Sequence, residues 1–268
     1  MERPDDGEDR KMKKRCLKQI LWILAAGLNM ILCAEAADMT ERYFAGVEVP
    51  DGQVQPAEKS LDGQIRIDVP YMSQEDVLPT GCETMSALML LAWWDIYPSV
   101  EEALSHLYCL SVTTDGRGHM YGPDPCQAFA GDPASPGGYG CYPPVIERML
   151  TELLPDDKKV VNTSGQTLAE LEEDYLSKGI PVMIWVTIDM LESYPGSSWS
   201  VIDSEGNVTG DIYTWQANEH CVVLVGCDAW NYYLNDPWKS HGTVAWDREL
   251  VNIRYEEMGM NSLAVMER

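Results

Sequence analysis

Leu78-Pro79-Thr80-Gly81-Cys82-Glu83-Thr84 sets a cysteine at the start of a helix, and the elements around it follow from that placement. Thr80 and Glu83 form the Thr-x-x-Glu pattern of a capping box. Met85, Leu88, Met89, Ala92 and Trp93 then recur at the spacing of one helix face, and Asp95 to Pro98 stops the helix. Near the second helical position, Cys82 would meet unpaired backbone N–H groups and the positive end of the helix dipole, both of which favour a thiolate. Gly81 leaves room for another chain to approach.

A second stretch supplies the partners that a cysteine nucleophile needs. Glu219-His220-Cys221-Val222-Val223-Leu224-Val225-Gly226 reads as an apolar strand that opens with a histidine. Tyr232–Asn235 reads as the next strand, and Asp236-Pro237 follows it. In a hairpin the end of the second strand lies beside the start of the first, so Asp236 can reach His220. The imidazole would take the Cys82 proton and later protonate a leaving amine. Asp236 would fix its tautomer and stabilise the imidazolium; Asn235 is the alternative orienting group. Gln74, eight residues before the cysteine, carries a side-chain amide that can join the Cys82 N–H in holding an oxyanion. The expected site is therefore Cys82, His220, Asp236 and Gln74. No metal or organic cofactor is needed for this chemistry.

The remaining elements predict an α+β fold with helices early, strands late and an antiparallel sheet. Ile65–Val69 alternates as a short strand, and Ser99 caps a helix running to Leu107. Residues 112–144 are rich in Gly, Pro and Asp and read as a substrate-contacting loop. Pro144–Leu154 has helical spacing, Thr167–Lys178 is a helix stopped by Gly179, and residues 181–188 form a buried strand. Residues 189–218 read as loops with a hairpin, Asp247–Tyr255 as a helix and Ser262–Met266 as a closing strand. Trp199, Trp215, Trp230, Trp238 and Trp246 are expected in the core and the cleft lining, whereas His119 and His241 are expected at the surface.

The formal charge of the 268 residues is -24, from 19 basic and 43 acidic side chains. Such a chain repels phosphate backbones, which argues against nucleic acid as a partner. Residues 1–36 read as a signal peptide or an N-terminal membrane anchor. Lys11 to Arg15 precede an apolar run through residues 20–33, and Ala34-Glu35-Ala36 follows. Met12 is an alternative start. This places the working domain outside the cytoplasm, extracellular or at the cell surface. Outside that segment six cysteines remain: Cys82, Cys109, Cys126, Cys141, Cys221 and Cys227. Export permits disulfides among them, with Cys141 paired to Cys126 or Cys109 as one pattern. No close Cys-x-x-Cys or His-x-x-x-His pair suggests structural zinc.

Val69-Pro70-Tyr71-Met72-Ser73-Gln74 and Leu78–Glu83 resemble segments of the papain-like cysteine peptidases related to the bacteriocin-processing, double-glycine leader peptidases. Gly131-Asp132-Pro133, Gly138 to Pro144, His220–Gly226 and Asn235-Asp236-Pro237 are similar to that family's stand-alone members. The likeness covers residues 65–240. It implies a papain-like fold, a peptide or protein substrate, and the roles of Cys nucleophile, His base, Asp orienter and Gln oxyanion donor for Cys82, His220, Asp236 and Gln74. The expected organisation is a signal or anchor over 1–36, a linker over 37–64 and a peptidase domain over 65–268. Two rival readings share the fold: hydrolysis of cell-wall peptide or amide bonds, and a non-catalytic surface-binding domain.

Overall fold

Strand Glu219–Cys227 has all nine residues buried, and the sheet is built around it. The computed structural model describes residues 64–238 and 241–268, which fall within one compact unit. The segment read as signal or anchor (1–36) and the linker read over 37–64, except its last residue, lie outside the described residues. Among the described residues no helix is long and apolar enough to cross a membrane.

In chain order the strands are β1 (Ile65–Arg66), β2 (Cys109–Leu110), β3 (Thr113–Thr114), β4 (Met120–Gly122), β5 (Phe129–Ala130), β6 (Lys158–Asn162) and β7 (Val182–Thr187). They continue with β8 (Tyr194–Ile202), β9 (Val208–Ala217), β10 (Glu219–Cys227), β11 (Asn231–Asp236), β12 (Gly242–Asp247) and β13 (Ser262–Glu267). The helices are α1 (Cys82–Trp93), α2 (Val100–His106), α3 (Pro143–Leu153), α4 (Leu168–Asp174) and α5 (Arg248–Glu257).

The main sheet runs β12-β11-β10-β7-β13-β6, with β1 added beside β10, and every pairing in it is antiparallel. β7 and β10 are buried along their whole length, so both faces of the sheet centre are covered. Their near-continuous runs of Val, Ile and Leu are the sequence correlate of that position. A second sheet, β3-β4-β8-β9, is dominated by the long β8–β9 hairpin within residues 189–218. The stretch 112–144 holds three short strand pieces, β3, β4 and β5, and β2 just ahead of it pairs with β5. β6 was not expected from sequence; its half-buried Lys-Lys-Val-Val-Asn pattern at a sheet edge carries little apolar signal.

α1 differs from the amphipathic helix that its sequence suggests. Every residue from Cys82 to Ala92 is buried, so the helix is enclosed on all sides instead of presenting one apolar face. Met85, Met89 and Leu91 are completely inaccessible, and burying each such side chain is worth about 1.5–3 kcal/mol. The expected capping box is also absent. Gly81 is the N-cap and makes no side-chain cap bond. Thr80 instead turns its hydroxyl to the Ser135 carbonyl at 3.1 Å, with the Asp132 and Pro133 carbonyls also in reach, and donates its N–H to the Pro133 carbonyl, tying the Cys82 turn to the neighbouring loop. Glu83 turns inward. A genuine capping box occurs at α4, between Thr167 and Glu170.

α1 packs on β10, and one polar contact sets their relative position. Ser86 Oγ donates to the Cys221 carbonyl at 3.0 Å in a fully buried seam. Ser86 lies one turn beyond Cys82, and Cys221 directly follows His220. Replacing Ser86 by Ala leaves that carbonyl without its hydroxyl donor. The expected loss is about 1–3 kcal/mol of unfolding free energy, read by urea denaturation. A loss under a few tenths of a kcal/mol would show that the seam is held by apolar packing alone.

Candidate active site

Cys82 is the first residue of α1, so its backbone N–H has no partner within the helix. His220 is the second residue of β10, and Asp236 is the last of β11. Val223 pairs with Asn235 across the hairpin, so Asp236 falls on the Val222 side, with His220 two residues further along the same face. The reach expected from sequence is realised: His220 Nε2 lies 2.6 Å from Asp236 Oδ1, and both side chains are buried. Asn235 points elsewhere. Its Nδ2 donates to the Val69 carbonyl and its Oδ1 accepts from Thr243, which makes it a strut and leaves the orienting contact to Asp236.

Asp236 holds more than His220. Its Oδ1 also accepts from the Trp238 N–H at 2.9 Å, and its Oδ2 lies 3.1 Å from His241 Nδ1. Burial by itself would raise this carboxyl. The bond and charge of His220, with the Trp238 N–H and His241, outweigh burial and hold it below its ordinary value. His241 is therefore not the free surface histidine expected from sequence; its side chain is about three-quarters covered. The Trp238 ring stands edge-on to the His220 ring, 6.3 Å between centroids.

Gln74 is joined to the same corner. Its N–H donates to the Pro237 carbonyl at 2.9 Å, and Tyr71 donates its hydroxyl to the Asp236 carbonyl. The Gln74 side chain is buried; Nε2 donates to Pro79 O at 3.1 Å and reaches Leu78 O at 3.4 Å. All of Gln74, Cys82 and His220 line one groove of about 330 Å³, together with Tyr139, Trp215 and Trp238. The Gly-rich loop read as substrate-contacting contributes Pro136, Gly138 and Tyr139 to that wall. Of the five tryptophans expected in core or cleft, Trp199 is core and Trp215 and Trp238 line the groove; Trp230 is an exposed exception at 77%.

The ionisation of Cys82 runs against the sequence expectation. Burial is the largest influence and raises its pKa well above the ordinary thiol value. The carboxyls of Glu83 and Glu219 add to the rise, and only an N–H from Cys221 opposes them. The helix start does not prevail, so the resting group is a neutral thiol. Its sulfur donates to Glu83 Oε2 at 3.2 Å. The six described cysteines are all free, so the expected Cys141 disulfide is not present; Cys141 is wholly buried.

Sequence reading missed three residues here. The sequence pattern assigns Glu83 to a capping box, gives Glu219 no role beside His220, and sets His241 four residues past Pro237 with a surface expectation. The adjacency of a glutamate to each of Cys82 and His220 is the available signal.

Asp236 sets a stability test. Because its folded pKa is depressed, its contribution is present above the ordinary carboxylate value of about 4 and is lost as pH falls through the lower folded value. Asp236→Asn is expected to lose about 2 kcal/mol at pH 7, and the difference from wild type should shrink as pH drops below about 4. Denaturant titrations at both ends measure it. A difference independent of pH would mean that the charge on Asp236 contributes nothing.

A family model described as "Peptidase_C39 like family" matches residues 66–263. Among solved structures, one described as a C39-like peptidase from Bacillus anthracis aligns with a TM-score of 0.65 at 24% identity, covering 77% of this chain and 99% of its own. Another, a double glycine motif protease from an AMS/PCAT transporter in complex with the leader peptide, aligns at 15% identity with a TM-score of 0.43, covering 80% of this chain and 97% of its own. No curated protein matches the chain. With a match over most of its length and an α+β papain-like fold, the chain belongs to the Peptidase_C39 like family and is a peptidase.

Proposed function

We propose that this protein is an exported cysteine peptidase that cleaves peptide bonds with Cys82 as nucleophile, His220 as base, Asp236 as orienting acid and Gln74 as oxyanion donor. The observation that carries the reading is the buried 2.6 Å contact between His220 Nε2 and Asp236 Oδ1 on the wall that also holds Cys82. With Nε2 engaged by the carboxylate, Nδ1 is the nitrogen left to receive the Cys82 proton.

In the proposed cycle the Cys82 proton passes to His220, and the sulfur attacks the scissile carbonyl carbon. The oxygen of the tetrahedral intermediate is held by the Cys82 N–H and the Gln74 amide. For Gln74 to donate there, its longer bond to Leu78 O must be exchanged for the substrate oxygen. His220 then protonates the departing amine, and the thioester is hydrolysed by a water that His220 deprotonates. Asp236 keeps its charge throughout and stabilises the imidazolium. Tyr139, Trp215 and Trp238 offer apolar and aromatic surface to a peptide in the groove. Export rests on the signal-like pattern within residues 1–36. It is checked by the N-terminal residue of the protein recovered outside the cytoplasm.

Turnover of an unstructured peptide library tests the assignment. Cys82→Ala is expected to abolish hydrolysis, His220→Ala to lower it by about 10²–10⁴, and Gln74→Ala to lower kcat by about 10²–10³, all with an intact fold. Hydrolysis retained by Cys82→Ala would remove the proposal. Cleavage of purified peptidoglycan peptides but not of the library would move the substrate to the cell wall.

A further inference from the structure

A glutamate adjoins each member of the reactive pair: Glu83 follows Cys82, and Glu219 precedes His220. The α1–β10 seam brings these neighbours together as well. The Cys82 sulfur and one oxygen from each carboxyl lie within 4.8 Å of one another, and all three residues are buried. Glu83 is completely enclosed and Glu219 is 7% exposed.

The two carboxyls are supported unequally. Glu83 accepts at both oxygens, from the Cys82 thiol at 3.2 Å and from the Cys141 N–H at 2.6 Å. Glu219 Oε1 is buried with no hydrogen-bond partner among the described residues. The carboxyls also crowd one place: a methyl at Gly140 would stand 2.5 Å from Glu83 Oε1 and 3.1 Å from Glu219 Oε2. Other titratable groups acting on one or both carboxyls are Cys109, Cys141, Tyr142, Tyr213, His220 and Cys221. Of these only His220 can carry positive charge. Two buried carboxylates this close cannot both ionise at neutral pH, and the one with the unpartnered oxygen keeps its proton.

We propose that Glu83 and Glu219 form an acid pair that controls the Cys82 proton, holding the thiol closed when the pair carries one charge and releasing it when the pair is neutral. The proposal rests on Cys82 being the nucleophile. In the closed state Glu83 is the carboxylate and the contact is S–H···O⁻. In the open state Glu83 has taken one proton from solvent, and the thiol proton has moved to His220. The result is a thiolate, an imidazolium and two neutral carboxyls, with no other group gained or lost. Burial, the largest influence, pushes Glu83 up to about 7 despite its hydrogen bonds. The pair thus changes charge near neutrality, and the reactive form belongs to its acid side. Glu83 and Glu219 are positioning residues here, acting through the thiol.

The test is the rate of Cys82 alkylation by iodoacetamide from pH 5 to 9 on the full chain, located by peptide mass, together with NMR of glutamate ¹³C-carboxyl groups in the wild type. Wild type should label more slowly as pH rises through about 7, then faster as the thiol itself ionises. Glu83→Gln should abolish that fall. Glu219→Gln should leave the fall near 7, because Glu219 is neutral while Glu83 ionises; in Glu83→Gln the Glu219 carboxyl should titrate lower than in wild type, because the Glu83 charge that raises it is gone. One wild-type glutamate should titrate near 7 and a second should stay protonated above it. A fall that persists in folded Glu83→Gln, a Glu219 carboxyl that titrates the same with and without Glu83, or all glutamates titrating in the ordinary range near 4, would overturn the pair. Neither readout requires turnover, so a peptidase reading that failed with Cys82→Ala would be told apart from a failure here.

Discussion

The position of α1 on β10 decides what chemistry this molecule can perform. The nucleophile candidate begins one element and the histidine is second in the other, with 137 residues between them in the chain. Nothing local relates them. The relation is made by a helix buried on every side, by a strand buried on both faces, and by the Ser86 hydroxyl on the Cys221 carbonyl between the two. A displacement of one helical turn or one strand residue would send Cys82 or His220 away from the groove, since strand side chains alternate faces. The polar bond adds direction to packing that is otherwise apolar and tolerant of sliding.

A second corner fixes the other half of the site. The segment Tyr71–Gln74 is bonded to the backbone of Asp236-Pro237, and Asp236 in turn receives His220, the Trp238 N–H and His241. The proposed oxyanion donor and the orienting acid therefore share one piece of backbone. Around the histidine the charge is acidic on both sides, with Asp236 on Nε2 and the Glu83–Glu219 pair near the thiol. That arrangement opposes a resting thiolate. It differs from a thiol activated by a helix start alone, and it makes the proton inventory of the site the variable that matters.

Much of the site was legible because it depends on hairpin geometry. The order of strand, tight connection and strand, with His220 at one end and Asp236 at the other, required only the pairing rule. The Gly- and Pro-rich stretch was legible as a groove wall because few other roles suit so long a loop. What failed were patterns with two meanings. Thr80-x-x-Glu83 is a capping motif in solution, but here both side chains had better partners: Thr80 in a neighbouring loop and Glu83 in the core. The helical spacing of α1 suggested one buried face, because periodicity cannot report what covers the opposite side. His241 is brought back by the β11–β12 connection, a contact invisible without the turn. The N-terminal segment lies outside the described residues, and its reading stays with the sequence.

In the proposed peptidase the Cys82 thiol, although buried and protonated at rest, is the one thiol activated toward a peptide carbonyl. Among the described residues six free cysteines make a direct contest, and Cys126 is the exposed one of these. A peptidyl acyloxymethyl ketone should be offered to the folded protein and the modified residue located by mass spectrometry. A single adduct on Cys82 that disappears with His220→Ala is expected. Labelling of Cys126 or Cys109 in its place, or Cys82 labelling unchanged without the histidine, would contradict it.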